Sequence, residues 1–273
     1  MTKPLEGKTS IITGASSGIG LAIAQAFAEA GSDVVIVARG AAKLHEVAQA
    51  LRAHGGKVTD VVADLTKDDD IARVFAAVEH LDVLVNNAGA SIRARTENVT
   101  PAQWRSVIDL NVTAAFLCAQ AAYRKMLEQG GGRIINVGSV SSRVSRRHSV
   151  AYTTSKFALD GMTRAMALDG RSHGIAVSIL NPGNTDSAMR DLGGPGGGGG
   201  QGRADAGGAS GAGGVADGDL AAGYQHAGCD DFAADDAVFG AWLGGLCRHA
   251  LLHPPTAPAG EEIHPAPAGA EVA

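Results

Sequence analysis

Between residues 9 and 31 the chain reads TSIITGASSGIGLAIAQAFAEAG, and few folds accommodate that order of residues. Thr9–Thr13 is a short β-rich run. GASSGIG follows with no spacer, and Ile19, Ile23, Ala26, Phe27 and Ala30 then recur at helical spacing until Gly31 closes the helix as a C-terminal cap. Strand, glycine turn and helix in direct succession is the context in which a glycine fingerprint holds a dinucleotide. Gly14 permits the tight turn, Gly18 lets the backbone approach a pyrophosphate, and Gly20 lets the helix sit close on the strand. The helix N-terminus then offers free N–H groups and a positive dipole end to phosphate. The spacing is G-x-x-x-G-x-G, which differs from the commoner G-x-G-x-x-G.

The same alternation continues for 180 residues. Strands are predicted over 33–37, 58–62, 82–85, 133–137 and 175–180, with helices between them. Six apolar runs that are continuous rather than alternating imply a parallel sheet covered on both faces, and right-handed crossovers make it an α/β, doubly wound, Rossmann-type sheet. The second strand ends Ala38-Arg39-Gly40, with no acid to accept ribose hydroxyls. Arg39 either meets a 2′-phosphate, which favours NADP over NAD, or is an ordinary solvated arginine. Asp64 either accepts from an adenine amino group or caps a helix over 66–79. Thr100-Pro101 opens a helix with a cap and a proline at its first position.

A second cluster carries reactive groups. Ser139 follows the apolar run Ile134–Val137, at the strand end where open α/β sheets keep their chemistry. Tyr152 and Lys156 are four residues apart, hence one helical turn apart on one face. An ammonium a few ångströms from a phenol is expected to hold it below its ordinary value, which suits a general acid/base.

Composition narrows the classes. The net charge of −5 gives no basic footprint for nucleic acid, and no apolar run is long enough to suggest a membrane span. Cys118, Cys229 and Cys247 show no metal spacing, so free thiols in a reducing cytoplasm and no metal site are expected.

Six motifs fall in register with one family: TGASSGIG at 13–20, NNAG at 86–89, Asn111, Ser139, YTTSK at 152–156 and Pro182-Gly183. Through about residue 190 the chain resembles the single-domain branch of the short-chain dehydrogenases/reductases. The resemblance implies an NAD(P)-dependent oxidoreductase that interconverts a carbonyl and a secondary alcohol by hydride transfer. Tyr152 is then the general acid/base, Lys156 holds the nicotinamide ribose, Ser139 bonds the substrate oxygen, and Asn111 supports a water leading to Lys156. The cofactor is expected against Gly14, Ser16, Ser17, Gly18, Ile19, Gly20, Arg39, Asp64, Leu65, Asn87, Ala88, Gly89, Tyr152, Lys156, Pro182, Gly183 and Thr185. The implied partners are a small carbonyl or alcohol substrate and further copies of the chain, as a dimer or tetramer. The alternative is a dinucleotide-binding regulatory or scaffold protein that has lost turnover.

The pattern changes near residue 192. Residues 1–192 hold 21 Lys+Arg against 18 Asp+Glu, whereas residues 193–273 hold 2 against 10. Thirteen of the 22 residues from 193 to 214 are glycine. Three stretches are therefore expected: a catalytic Rossmann unit at 1–192, a mobile glycine-rich substrate-loop region at 193–230, and an atypical helix and tail at 231–273. Arg143, Arg146, Arg147 and His148, between Ser139 and Tyr152, either favour an anionic substrate or form a solvated charged loop.

Overall fold

The computed structural model describes residues 3–53 and 57–183. It contains six strands: β1 (Thr9–Thr13), β2 (Asp33–Ala38), β3 (Val58–Val62), β4 (Val83–Asn86), β5 (Gly132–Val137) and β6 (Ile175–Leu180). Their order is β3-β2-β1-β4-β5-β6, and every pairing is parallel. The order reverses direction between β1 and β4, which opens a crevice at their carboxyl ends.

The helices α1 (Gly18–Glu29), α2 (Ala41–Arg52), α3 (Asp68–Ala76), α4 (Pro101–Ile108), α5 (Ala115–Gln129) and α6 (Val150–Gly170) cover both faces. Adjacent strand residues feed opposite layers. Ile12, Val34 and Ile36 pack with Phe27 of α1 and Leu44 of α2, while Ile11, Val35 and Val37 pack with Val74 of α3 and Cys118 of α5. This two-sided burial accounts for the unbroken apolar runs, since neither pleat surface meets water.

Boundaries depart from expectation in two places. α3 starts at Asp68, so Asp64 does not cap it. Asp64 Oδ1 instead accepts from the amide and hydroxyl of Thr66, which closes a turn ahead of the helix. The helices on either side of Asn111 are joined by a π turn at Asp109–Ala114 and form one continuous stretch. A turn bonded i to i+5 breaks the regular ladder, a device that often marks functional positions. α4 begins as predicted, with Thr100 and Gln103 forming a reciprocal capping box ahead of Pro101. The glycine-rich region and the C-terminal helix expected beyond residue 192 lie outside the described residues.

Candidate active site

The glycine turn sits at the β1 end of the crevice. Gly14 and Gly18 have φ of +66° and +56°, a region closed to most L-residues. At Gly20 the constraint is space, because an added Cβ would lie 2.4 Å from the Gly14 carbonyl oxygen and 2.3 Å from Asn87 Nδ2. Ser17, at the N-cap, makes no side-chain capping bond, and the first turn of α1 holds no acid. Its leading N–H groups and positive dipole end are thus left for an anion, and the turn fits a dinucleotide pyrophosphate.

Strand β4 ties this turn down. Asn87 Nδ2 donates to the carbonyls of Thr13 at 2.9 Å and Gly14 at 3.2 Å. Thr13 Oγ1 accepts from the amides of Asn87 at 2.9 Å and Ala88 at 3.0 Å. Both amide hydrogens of Asn87 are spent on this clamp, so its donors hold the turn rather than a ligand. Thr13 was not singled out from sequence as a functional side chain, because its partners lie 74 and 75 residues away. At the neighbouring strand ends, Arg39 is exposed and makes no ion pair or hydrogen bond among the described residues, while Leu65 is a core residue.

Ser139, Tyr152 and Lys156 converge beyond β5. Ser139 Oγ accepts from the Ser141 amide at 3.1 Å and lies close enough to the Tyr152 phenol to pull its pKa down. Lys156 reaches beneath them from the next turn of α6: its Nζ donates to the Val137 carbonyl at 2.7 Å and lies 5.6 Å from the centroid of the Tyr152 ring. Asn111 is buried in the π turn. Its Oδ1 accepts from the Ala90 amide at 2.8 Å, and its Nδ2 donates to the Ala90 carbonyl at 2.9 Å and to Ser155 Oγ at 3.0 Å. That side chain is wholly engaged in holding the loop after β4 against α6.

The electrostatics differ from the sequence-based expectation. Burial pushes the Tyr152 phenol above its ordinary value, against the hydrogen bond from Ser139 and the positive charge of Arg146, which both pull it down. Burial also drives Lys156 down to about 8. Lys156 therefore does not hold the phenol low here, because the desolvation that raises the phenol also weakens the ammonium meant to oppose it.

Two loops flank Tyr152. The backbone amide of Ala94 donates to the His148 carbonyl at 2.9 Å and joins the segment after β4 to the one after Ser139. His148 takes a left-handed φ of +60° at that junction. Together these loops carry Arg93, Arg95, Arg143, Arg146 and Arg147, with Glu97, paired to Arg95, as their only acid. Pro182 and Gly183 follow β6 beside Ser139, and Thr185 lies outside the described residues. The arrangement brings together a glycine turn shaped for phosphate, a hydroxyl, a half-buried phenol and a buried amine in one crevice, as a hydride-transfer site requires.

Comparison with known proteins agrees. A family model described as short chain dehydrogenase matches residues 8–193. The chain is 37% identical over 191 residues to gluconate 5-dehydrogenase of Gluconobacter oxydans, covering 68% of this chain and 75% of the relative. It is 38% identical over 190 residues to glucose 1-dehydrogenase 2 of Bacillus subtilis, covering 67% and 74%. A solved gluconate 5-dehydrogenase from Burkholderia cenocepacia, in complex with NADP and tartrate, superposes with a TM-score of 0.66 at 32% identity, over 69% of this chain and 75% of that one. The chain belongs to the short chain dehydrogenase family and is an NAD(P)-dependent oxidoreductase that interconverts an alcohol and a carbonyl.

Proposed function

We propose that the chain is an NADP-preferring oxidoreductase for a small polyhydroxy acid or its keto form, with Tyr152 as general acid/base. The observation that carries this reading is the convergence of Ser139 and Tyr152 above Lys156 at the carboxyl end of β5, with β4 between them and the glycine turn.

The nicotinamide supplies or accepts the hydride when bound; the protein manages the proton and the developing oxyanion. A phenol held above its ordinary value is protonated at neutral pH, so Tyr152 is ready to donate to a carbonyl oxygen during reduction. The Ser139 hydroxyl bonds the same oxygen, and Lys156 anchors the ribose and feeds the proton path. Asn111 holds the loop after β4 from its place in the π turn. The turn at Gly14–Gly20 takes the pyrophosphate, Arg39 the 2′-phosphate, Asp64 and Leu65 flank the adenine, and Ala88–Gly89 and Pro182–Gly183, with Thr185, flank the nicotinamide.

The acid moiety is supported by five arginines against one acid on the loops beside Tyr152, and by relatives named for gluconate. We also propose residues 1–192 as the catalytic unit and a cytoplasmic homo-oligomer. The exposed Phe116 of α5 and Phe157 and Leu168 of α6 support association through that face. Among the described residues no helix is long and apolar enough to cross a membrane.

The test pairs fluorescence titrations with NADPH and NADH and an assay of NADPH consumption with 5-ketogluconate, for the wild type and Tyr152→Phe. The expected result is tighter NADPH binding, and a phenylalanine variant that keeps this affinity while losing about 100-fold or more in turnover. Equal binding of NADH would remove the NADP preference, and undiminished turnover would remove Tyr152 from the chemistry.

A further inference from the structure

The last rung shared by β5 and β6 is the bond from the Gly138 amide to the Leu180 carbonyl, at 2.7 Å. Beyond it the two chains part, since Val140–Ser142 turns into a short helical loop and Pro182 has no N–H to offer. Across the gap the Val140 amide still reaches the Pro182 carbonyl, at a long 3.4 Å, and one side chain adds shorter bonds. Asn181 Oδ1 accepts from the Ser139 amide at 2.9 Å and from Ser142 Oγ at 3.2 Å. The Ser142 hydroxyl has one hydrogen, shared between Asn181 Oδ1 and the Ser139 carbonyl at the shorter 2.7 Å, so the backbone of Ser139 is gripped at both its amide and its carbonyl. Gly138 makes the room: a Cβ there would stand 2.1 Å from Asn181 Oδ1.

Ser139 is otherwise held only from within its own loop, where the Ser142 amide donates to its carbonyl at 2.9 Å. It leaves β5 in extended backbone, φ −171°, and its hydroxyl accepts from the Ser141 amide within the loop that Asn181 anchors. We infer that Asn181 is a positioning residue for proton transfer: its amide oxygen seats the Ser139 backbone and thereby aims the Ser139 hydroxyl at the Tyr152 phenol. The inference rests on the reading of Ser139 and Tyr152 as the reacting pair.

The test measures the Tyr152 phenol pKa in the full-length protein from phenolate absorbance, with Tyr152→Phe as the blank. Ser139→Ala removes a bond that favours phenolate, so it should raise the phenol by about half a pH unit or more. Asn181→Ala should raise it too, and the double variant should go no higher than Ser139→Ala alone, since both changes remove one contact. Asn181→Asp keeps an acceptor for the Ser139 amide, so Ser139→Ala made in that background should give its full effect. A full Ser139→Ala effect in the Asn181→Ala background overturns the inference, as does its absence in the Asn181→Asp background. The second comparison decides alone if Asn181→Ala does not fold. A phenol indifferent to Ser139→Ala in the wild-type background would instead remove the Ser139–Tyr152 pairing itself.

Discussion

Replacing Asn111 by alanine should cost far more stability than its size suggests. The side chain is only 2% exposed, and its amide satisfies both polar backbone atoms of Ala90, itself buried, at 2.8 and 2.9 Å. Truncation leaves that N–H and that carbonyl without the partner the side chain supplied. A buried orphan costs about 1–3 kcal/mol, so two give about 2–6 kcal/mol. The third bond matters less, because Ser155 Oγ keeps its 2.7 Å bond to the Tyr152 carbonyl and is not orphaned. Ser155→Ala is the control, expected to cost about 0.5–1.5 kcal/mol. Urea unfolding of the cofactor-free protein reads both differences from the shift in midpoint at constant slope. The melting temperature should fall by roughly 5–15 °C for Asn111→Ala. A loss below about 1 kcal/mol for Asn111→Ala, or equal losses in the two variants, would refute the orphaned-backbone reasoning.

Three further outcomes are expected. Arg39→Ala should weaken NADPH by about 10–100-fold while leaving NADH unchanged, because only the 2′-phosphate loses a charge-assisted bond; parallel fluorescence titrations decide, and an equal loss for both nucleotides would clear Arg39 of that role. Gly20→Ala should cost about 1–3 kcal/mol and reduce NADPH affinity, since its methyl group would displace either Asn87 or the Gly14 carbonyl; thermal melts together with unchanged binding would count against the clamp. Lys156 is pushed by burial to about 8 from an unfolded value near 10.5, so the unfolded chain binds more protons between those values and stability rises with pH across that window. The burial penalty, up to about 3 kcal/mol, is complete below pH 8. Lys156→Met loses this titration and also orphans the Val137 carbonyl, so the expected signature is the pH dependence: the cofactor-free wild type should gain stability relative to the variant as pH rises from 8 to 10.5, and a difference that stays level would contradict the assignment.

Local rules carried the sequence a long way. The β1–turn–α1 unit, all six strands, the Thr100–Pro101 start of α4 and the one-turn spacing of Tyr152 and Lys156 depend on residues a few positions apart, where sterics and periodicity act directly. Gly14 and Gly18 were legible for the same reason, since a positive φ is a property of the residue that adopts it. The parallel sheet followed from continuous apolar runs, because burial on both faces leaves no polar alternation to see.

What the sequence by itself determined is the identity of the elements and the placement of a hydroxyl, a phenol and an amine at strand and helix ends. Tertiary structure alone decided what those groups experience. The grip of Asn181 on Ser139 spans 42 residues, the clamp of Asn87 on the Thr13 carbonyl 74, and the hold of Asn111 on Ala90 21. No local pattern encodes such bonds, because they form only once the sheet has set the register of distant strand ends. The direction of the Tyr152 shift belongs to the same class: spacing put a cation one turn away, but burial, summed over every element packed around the pair, outweighs the charge it was expected to provide.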